Sequence, residues 1–444
     1  MSRLDAGLVL PPRRALWRRL GSLPVFSHYN RLFALVLIVN VAALGHGLTA
    51  GQWWTGDSLA LPTLSGWVTA NLSLAILVRQ QYLINLLFWL ATRVPTSWPL
   101  AIRRSLAKVY HFGGLHSGGA VAAIVWFALL MAVMLQDRFA GPGTVSMTLL
   151  AVSGSLLGVL LLMVIMALPR IRSTFHNAFE RTHRFGGWTA LGLFWVMTLI
   201  AARDQNPKAS LLQMLGDSTS FWMLLLLTFS IVLPWLRLRR VPMTQVKPSS
   251  HVLIAGFEHL TPFAGSSTAI SLNPLWEWHS FANIPAPGQP GFRLIISRAG
   301  DWTGRLIDQP STHVWVKGIT TAGVAHIETL FKSVVYVATG SGIGPVLPHL
   351  LAQQVPIHLI WSTRSPRKTY GDELVDEILR AQPGAHIWDT DLSGKPDLVA
   401  LAYAAVQATG AEAVICISNQ TLTERVVEEM EARGIAAYGA LWDS

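Results

Sequence analysis

The sequence of 444 residues holds one cysteine, Cys416, so it offers no intrachain disulfide and no thiolate metal cluster. Charge is scarce as well. Only 13% of residues are Asp, Glu, Lys or Arg, and the 24 acidic residues are outnumbered by 34 basic ones, for a formal net charge of +10. A basic excess of that size raises nucleic acid as a partner, but the placement of the charges excludes it. Arg13, Arg14, Arg18, Arg19 and Arg31 precede the first long apolar run. Arg93, Arg103, Arg104 and Lys108 stand between the second and third, and Arg170, Arg172, Arg181 and Arg184 between the fourth and fifth. Arg237, Arg239, Arg240 and Lys247 follow the sixth. The alternate loops hold few cations: none from Gly51 to Ser65, then Arg138 alone, then Arg203 and Lys208. This alternation is the positive-inside pattern of a multi-pass membrane protein with both termini in the cytoplasm. The excess then serves topology and attraction to anionic lipid.

What is abundant is apolar: 51% of the chain, concentrated between Leu32 and Leu236 in runs near the roughly 20 residues that cross about 30 Å of hydrocarbon. Six spans are expected, at about 32–50, 64–90, 113–136, 145–168, 185–202 and 220–236. The N-terminus does not read as a cleavable signal, because its basic segment is long and the run after it spans a bilayer. The second span carries Arg79, Gln80 and Gln81 within "LSLAILVRQQYLINLLFWLATRVP". It reads either as one long helix or as a span followed by an interfacial helix with Tyr82, Phe88 and Trp89 at headgroup level.

Beyond a basic linker at 237–250 the composition becomes that of an α/β protein. From 251 to 330 short β-type runs ("HVLIAGF", "GFRLIIS", "HVWVKGI") alternate with Pro- and Gly-rich stretches, as in a small antiparallel barrel. From 331 to 444 strands alternate with helices, which predicts a doubly wound parallel sheet binding ligands outside the carboxyl ends of its strands. The expected architecture is therefore a basic segment (1–31), a six-helix transmembrane bundle (32–236), a linker, a barrel and a parallel α/β domain.

In that last domain "VYVATGSGIGPVLPHL" reads as strand, glycine turn and helix. Gly340, Gly342 and Gly344 would let backbone N–H groups approach a phosphate, and Pro345 opens the helix where its missing N–H costs little. A tight turn with no ligand is the plain alternative. In "GDWTGRL", Gly300 and Thr303 stand at a helix start, where N–H groups and a hydroxyl can hold a pyrophosphate.

With these residues in hand the chain resembles the ferredoxin–NADP reductase superfamily, in its membrane branch of ferric reductases and NADPH oxidases. "ATGSGIGPVLP" resembles the nicotinamide loop, "EWHSFA" the flavin motif H-P-F-T/S, and "GDWTGRL" the segment G-D-W-T-x-x-L, in the same order. "WSTRSPRKTYGDEL" and the terminal "GALWDS" resemble the fungal and bacterial transmembrane flavoproteins often encoded beside non-ribosomal peptide synthetases. The resemblance implies FAD on His279, Ser280, Phe281, Gly300 and Thr303, and NADPH or NADH on Thr339, Gly340, Ser341, Gly342, Gly344 and Pro345. It places the adenosine ribose at Thr363 and Arg364, where Arg367 and Lys368 favour the 2′-phosphate of NADPH. Trp442 would stack on the flavin ring. Three departures stand out. Ser280 replaces a proline, Ala282 replaces a hydroxyl residue, and "CISNQ" stands where the superfamily has Cys-Gly-Pro.

The membrane branch also implies haem b. His116 and His183 each precede or join paired glycines at the inner end of a span, where small residues let helices approach or a flat ring lie between them. His111 and His176 also precede these two spans, and His46, near the outer face, has no evident partner. The outer haem histidines are absent: fourteen residues past His116 and His183 stand Leu130 and Met197. Electrons from NADPH through FAD would then reach an acceptor near the inner leaflet, a lipophilic small molecule, a quinone or oxygen. A reading from another class, a non-catalytic membrane sensor or scaffold with a reductase-like domain, draws on the altered "HSFA" and "CISNQ" and on the lack of a G-P-Y-G-like turn at "VKGITTAG".

Overall fold

The computed structural model describes residues 10–19, 23–51, 61–141, 143–205, 210–216 and 218–440. Helices come first: α1 (Leu16–Arg19), α2 (His28–Thr49), α3 (Leu61–Leu77), α4 (Gln81–Thr92), α5 (Leu100–Leu106), α6 (Gly113–Ala140), α7 (Met147–Ala167), α8 (Pro169–Thr174), α9 (His176–Gln205), α10 (Leu211–Gly216) and α11 (Thr219–Leu236). Strands β1 (Arg239–Pro242), β2 (Thr244–Val246), β3 (Val252–Phe257), β4 (Ser266–Ser271), β5 (His279–Ala282) and β6 (Phe292–Ser297) lead to α12 (Asp301–Asp308), β7 (His313–Val316) and β8 (Thr321–Ala322). The last part alternates: β9 (Val334–Thr339), α13 (Ile343–Ala352), β10 (Ile357–Thr363), α14 (Pro366–Tyr370), α15 (Asp372–Ala381), β11 (His386–Asp389), α16 (Thr390–Ser393), α17 (Leu398–Thr409), β12 (Ala413–Ile417), α18 (Gln420–Ala432) and β13 (Ala436–Gly439).

Five helices, α2, α6, α7, α9 and α11, are each long and apolar enough to cross a membrane, and α3 with α4 makes a sixth if the broken pair is one span. The pattern at 64–90 is thus not one helix. It stops at Leu77, and α4 begins after the polar break of Arg79 and Gln80. The chain divides into two compact units, one of residues 29–80 and 112–233, the other of 1–28, 81–111 and 234–444.

In the first unit α3 packs on α6 and α7 on α9. In lipid there is little hydrophobic drive between helices, so close backbone approach and polar contacts must hold them. The α6 glycines supply the approach. A Cβ on Gly119 would stand 2.8 Å from the Asn71 carbonyl oxygen, and one on Gly118 would stand 3.0 Å from Val36 Cβ. Buried amides supply the rest: Asn40 and Asn71 exchange hydrogen bonds of 3.0 and 2.7 Å, and Trp126 Nε1 donates to Asn40 at 2.7 Å. Around them Leu64, Phe127 and Leu156 are fully buried.

In the second unit, β1, β7, β4 and β5 form one antiparallel sheet with β8 on β4, and β2, β3 and β6 form another. Leu253, Ile270, Leu294, Ile296, Leu306 and Val316 fill the space between, closed by α12. The stretch 237–250, expected as linker, holds β1 and β2. Its basic residues conceal alternating burial, with Val241 and Met243 in the core. The third sheet is parallel throughout, in the order β11-β10-β9-β12-β13. The order reverses beside β9, and crevices for ligands form at such a switch point.

Two segments from far along the chain are fastened to this parallel sheet. Arg103 donates to the Leu330 carbonyl at 2.7 Å and to both oxygens of Glu412 at 2.7 and 3.1 Å, and Glu412 also accepts from Lys332 N. Lys108 pairs with Glu431 at 2.9 Å, and Arg13 pairs with Glu429. These cations, expected as topology signals, are therefore also partners of particular carboxylates. Arg103 holds the Glu412 carboxyl below its usual range through their hydrogen bond.

His111, on the same fastened loop, is pushed down to about 3, chiefly by burial and then by the charges of His28 and Lys108. The unfolded chain takes up that proton near 6.5 while the folded one resists it to about 3. Stability from this group is therefore full above 6.5 and is lost progressively as pH falls toward 3. Thermal unfolding of His111→Leu should decline less steeply than wild type over that window; equal slopes would contradict the assignment.

Candidate functional site

The glycine turn lies at the carboxyl edge of the parallel sheet, between the end of β9 and the start of α13. Its three glycines are there for different reasons. Gly340 has φ of +49°, a left-handed conformation that strains any other L residue. Gly342 passes so close to the Ile417 carbonyl at the end of β12 that a side chain has no room. Gly344 faces β6, where an added Cβ would make an ordinary 3.7 Å contact with Ile295. The turn is thus shaped by the protein's own backbone. Ser341 is exposed, and Pro345 is the third residue of α13, among the first-turn positions whose N–H has no acceptor within the helix. Thr339 shares a 2.6 Å hydrogen bond with Ser418, and Trp361 Nε1 donates to the Gly340 carbonyl at 3.0 Å.

The end of β10 forms the adjoining rim. Thr363 is buried and shares the Tyr370 hydroxyl with Ser297 of β6. Burial raises the Tyr370 phenol above its usual range. The basic residues do not act as one cluster. Arg367 is committed to Asp372 at 2.9 Å and Asp376 at 2.6 Å. Among the described residues Arg364 and Lys368 have no carboxylate at ion-pair distance, and both are exposed. Between them Ser365 adopts a φ of +33°, held by Asp389 on its N–H and Asp391 on its hydroxyl.

Strand β5 carries the motif EWHSFA. Alternation puts His279 and Phe281 on one face and Ser280, exposed, on the other. Both rings lie against Trp302 of α12, with centroids at 4.0 and 6.2 Å. Glu277 accepts from Trp302 Nε1 at 2.7 Å. The start of α12 is therefore brought to β5. The Thr303 hydroxyl accepts from the N–H groups of Ala299 and Gly300 and so caps its own helix. The first-turn N–H groups remain as the anion-directed donors, and at Gly300 nothing lies within 4 Å of an added Cβ. Helix α13 packs against β5, so the strand with His279 and Phe281 and the glycine turn stand side by side.

Three further groups were not foreseen. Glu328 and His349, 1% and 2% exposed, pair at 2.7 Å, and Tyr336 of β9 donates to Glu328 at 3.0 Å. Burial, then the Glu328 charge, pushes the Tyr336 phenol far up. This network pins α13 to β9 beneath the turn. The apolar run around His349 hid it, because its partner acid stands in a separate 3₁₀ segment. Cys416 lies inside β12 as a thiol raised to about 12 by burial, and Asn419 caps α18 through Leu422 N at 3.0 Å. Both residues of "CISNQ" that depart from the superfamily thus have structural work. Trp442 lies outside the described residues.

In the other unit His116 and His183 meet, with ring centroids 6.2 Å apart. Both lie within helices, α6 and α9, rather than before them. His116 Nδ1 bonds the Ala75 carbonyl at 2.8 Å, which leaves Nε2 with the lone pair. The two rings meet edge to face, with 67° between their planes. Of the two uses expected for the α6 glycines, close helix approach is the one seen, since they receive Tyr29, Phe33, Val36 and Asn71, and Gly186 faces Met163. Leu130 and Met197 belong to the apolar core. Among the described residues no group of three or more His, Cys, Asp or Glu is placed for a metal ion.

The three glycines give a graded expectation for thermal unfolding of the full chain. Gly344→Ala should change stability by no more than about 0.5 kcal/mol, and Gly340→Ala should cost about 1 kcal/mol. Gly342→Ala should cost more than either, because a backbone carbonyl must shift. Equal losses at all three would contradict the packing described.

Residues 324–444 match the family "Adenylate-forming reductase 03009, C-terminal domain". The chain is similar to adenylate-forming reductase 03009 of Coprinopsis cinerea, 44% identical over 421 residues, which is 95% of this chain and 40% of that protein. It is also similar to adenylate-forming reductase 06235 of the same organism, 42% identical over 422 residues, with the same coverage. The chain thus spans about 40% of the length of these curated relatives. Among solved structures, a ferredoxin NADP+ reductase of Neisseria gonorrhoeae with bound FAD and NADP covers 46% of this chain and 99% of its own at 14% identity and a TM-score of 0.37. The Amycolatopsis cytochrome P450 reductase GcoB covers 47% and 71% at 14% identity and 0.35. The assignment of fold rests on the chain's own strand pairing: a multi-pass helical membrane region, an antiparallel barrel and a parallel α/β domain.

Proposed function

We propose that the chain is a membrane NAD(P)H-dependent flavin oxidoreductase that draws electrons from NADPH through FAD and passes them to an acceptor at the inner leaflet. The observation that carries this reading is the packing of α13, bearing the glycine turn, against β5, bearing His279 and Phe281. FAD held by these residues would supply hydride acceptance from the nicotinamide and one-electron release. The chain's part is to bind and orient. First-turn N–H groups of α12 and α13 face phosphate, and Arg364 and Lys368 stand ready for a 2′-phosphate. The buried Glu328–His349 pair fixes the helix on which the dinucleotide rests.

The relatives' name joins adenylate formation to reduction, and reduction is the part assigned here. That residues 10–28, 81–111 and 234–440 belong to one unit supports a single side for the N-terminal arm, the loop after α4 and the reductase domains. The cation alternation supports the cytoplasm for that side. A lipophilic acceptor or quinone suits a chain lacking an outer histidine pair. His116 and His183 are the residues that would hold a haem.

The enzyme reading predicts that detergent-purified protein is yellow and that anaerobic NADPH bleaches its flavin band. Colourless protein that leaves NADPH untouched would instead support the scaffold. Arg364→Ala should raise the KM for NADPH about tenfold or more, the worth of a charge-assisted hydrogen bond, with little change for NADH. An equal effect on both coenzymes would refute the 2′-phosphate assignment. A Soret band lost in His116→Ala and His183→Ala would establish the haem, and bare flavin absorbance would eliminate it.

A further inference from the structure

We propose that α4 lies along the lipid surface with its outer face in the headgroup region and holds the flavin barrel there through Asn85. The helix is amphipathic in the sense opposite to that of a helix on a water-facing domain. Its amide side chains point into the protein. Asn85 donates to the Thr320 carbonyl at 2.9 Å and accepts from Ala322 N at 2.9 Å, and Gln81 reaches Thr321 at 3.4 Å. Ile84 and Phe88 are buried on the same side. The side turned away carries Tyr82, Leu86, Trp89 and Leu90, each 45% to 53% exposed. A helix in water places its amides outward and its leucines inward. Here the favourable medium outside is apolar with a polar margin.

Cations at the rings identify the margin. The Arg93 guanidinium stands 4.6 Å over Trp89, and Arg237 stands 5.2 Å over Tyr82. Aromatic rings beside arginines are the composition of the headgroup level, where indoles and phenols meet phosphate. The row continues where the chain leaves its last span: Trp235, at the end of α11, lies 6.4 Å from Trp278, and Lys317 sits over both rings. Trp278 immediately precedes the flavin strand β5. Chain continuity supplies the occupant. Helix α4 starts four residues after the apolar α3 ends, and Arg237 directly follows α11, so both ends of the row adjoin membrane-length helices. A phospholipid surface therefore fits this face, whereas a soluble partner would require it to leave the bilayer.

The native chain suits a probe experiment because its one cysteine, Cys416, is fully buried. Full-length Leu86→Cys and, separately, Leu392→Cys would be labelled with a small fluorophore in nanodiscs of mixed phosphatidylcholine and phosphatidylglycerol. Leu392 is 85% exposed on α16 and serves as the water-facing control. Nitroxide-bearing phospholipid should quench the Leu86 probe and spare the Leu392 probe. Iodide should quench the Leu86 probe several-fold less, as for a side chain bedded in the interface. Iodide quenching both probes equally, with lipid nitroxide reaching neither, overturns the proposal. A Leu86 probe shielded from both quenchers also overturns it, since protein, such as a second copy of the chain, would then cover the face. Leu90→Cys repeats the measurement one turn on, should the first label disturb folding. No flavin or turnover is needed, so this result stands apart from the proposed reaction.

Discussion

Everything at the candidate site depends on how closely the turn after β9 can approach the end of β12. Gly342 lies against the Ile417 carbonyl, and only a residue without a side chain allows that contact. The contact sets α13 at the carboxyl edge of the sheet, at the point where strand order reverses. From there α13 reaches β5 and β6, and the Glu328–His349 pair secures its far side. A buried polar pair adds little net stability, but loss of one partner leaves the other's polar atoms unsatisfied. Its value here is in fixing one position for the helix.

The second constraint is assembly from distant parts of the chain. The unit that holds the site includes the N-terminal arm, the segment from α4 to His111 and everything after Pro234. Arg103 meets Glu412 across 309 residues, with its guanidinium nearly without solvent. Such fastening ties the N-terminal arm and the segment from α4 to His111 to the parallel sheet.

The sequence made the architecture legible where composition is one-sided. The membrane-length helices, the runs at β3, β6 and β7, and the glycine turn follow from apolar length, alternation and spacing. Strands β4 and β5 are less legible, since "SSTAIS" is mostly small and polar yet largely buried, and "HSFA" is only four residues long with its His279 and Phe281 rings resting on Trp302. In β1 and β2 the basic residues disguise core positions at Val241 and Met243. Charge counting sees the sign of Arg13, Arg103 and Lys108 but not their carboxylate partners hundreds of residues away. The α6 glycines were legible as close-approach residues, but whether a helix or a ring makes the approach is decided only by neighbours. Phe88, placed with the interfacial aromatics by sequence, is buried, while Tyr82 and Trp89 are exposed.

The central claim is that one face of a reduced nicotinamide is docked against flavin beside the Gly340–Gly344 turn. NADPH deuterated stereospecifically at C4, given anaerobically to the full-length protein, tests it through the label kept in the recovered NADP+. A single docked face predicts that one diastereomer yields NADP+ without deuterium and the other yields NADP+ that retains it. Loss of half the label from each, or no oxidation of either, would contradict the account.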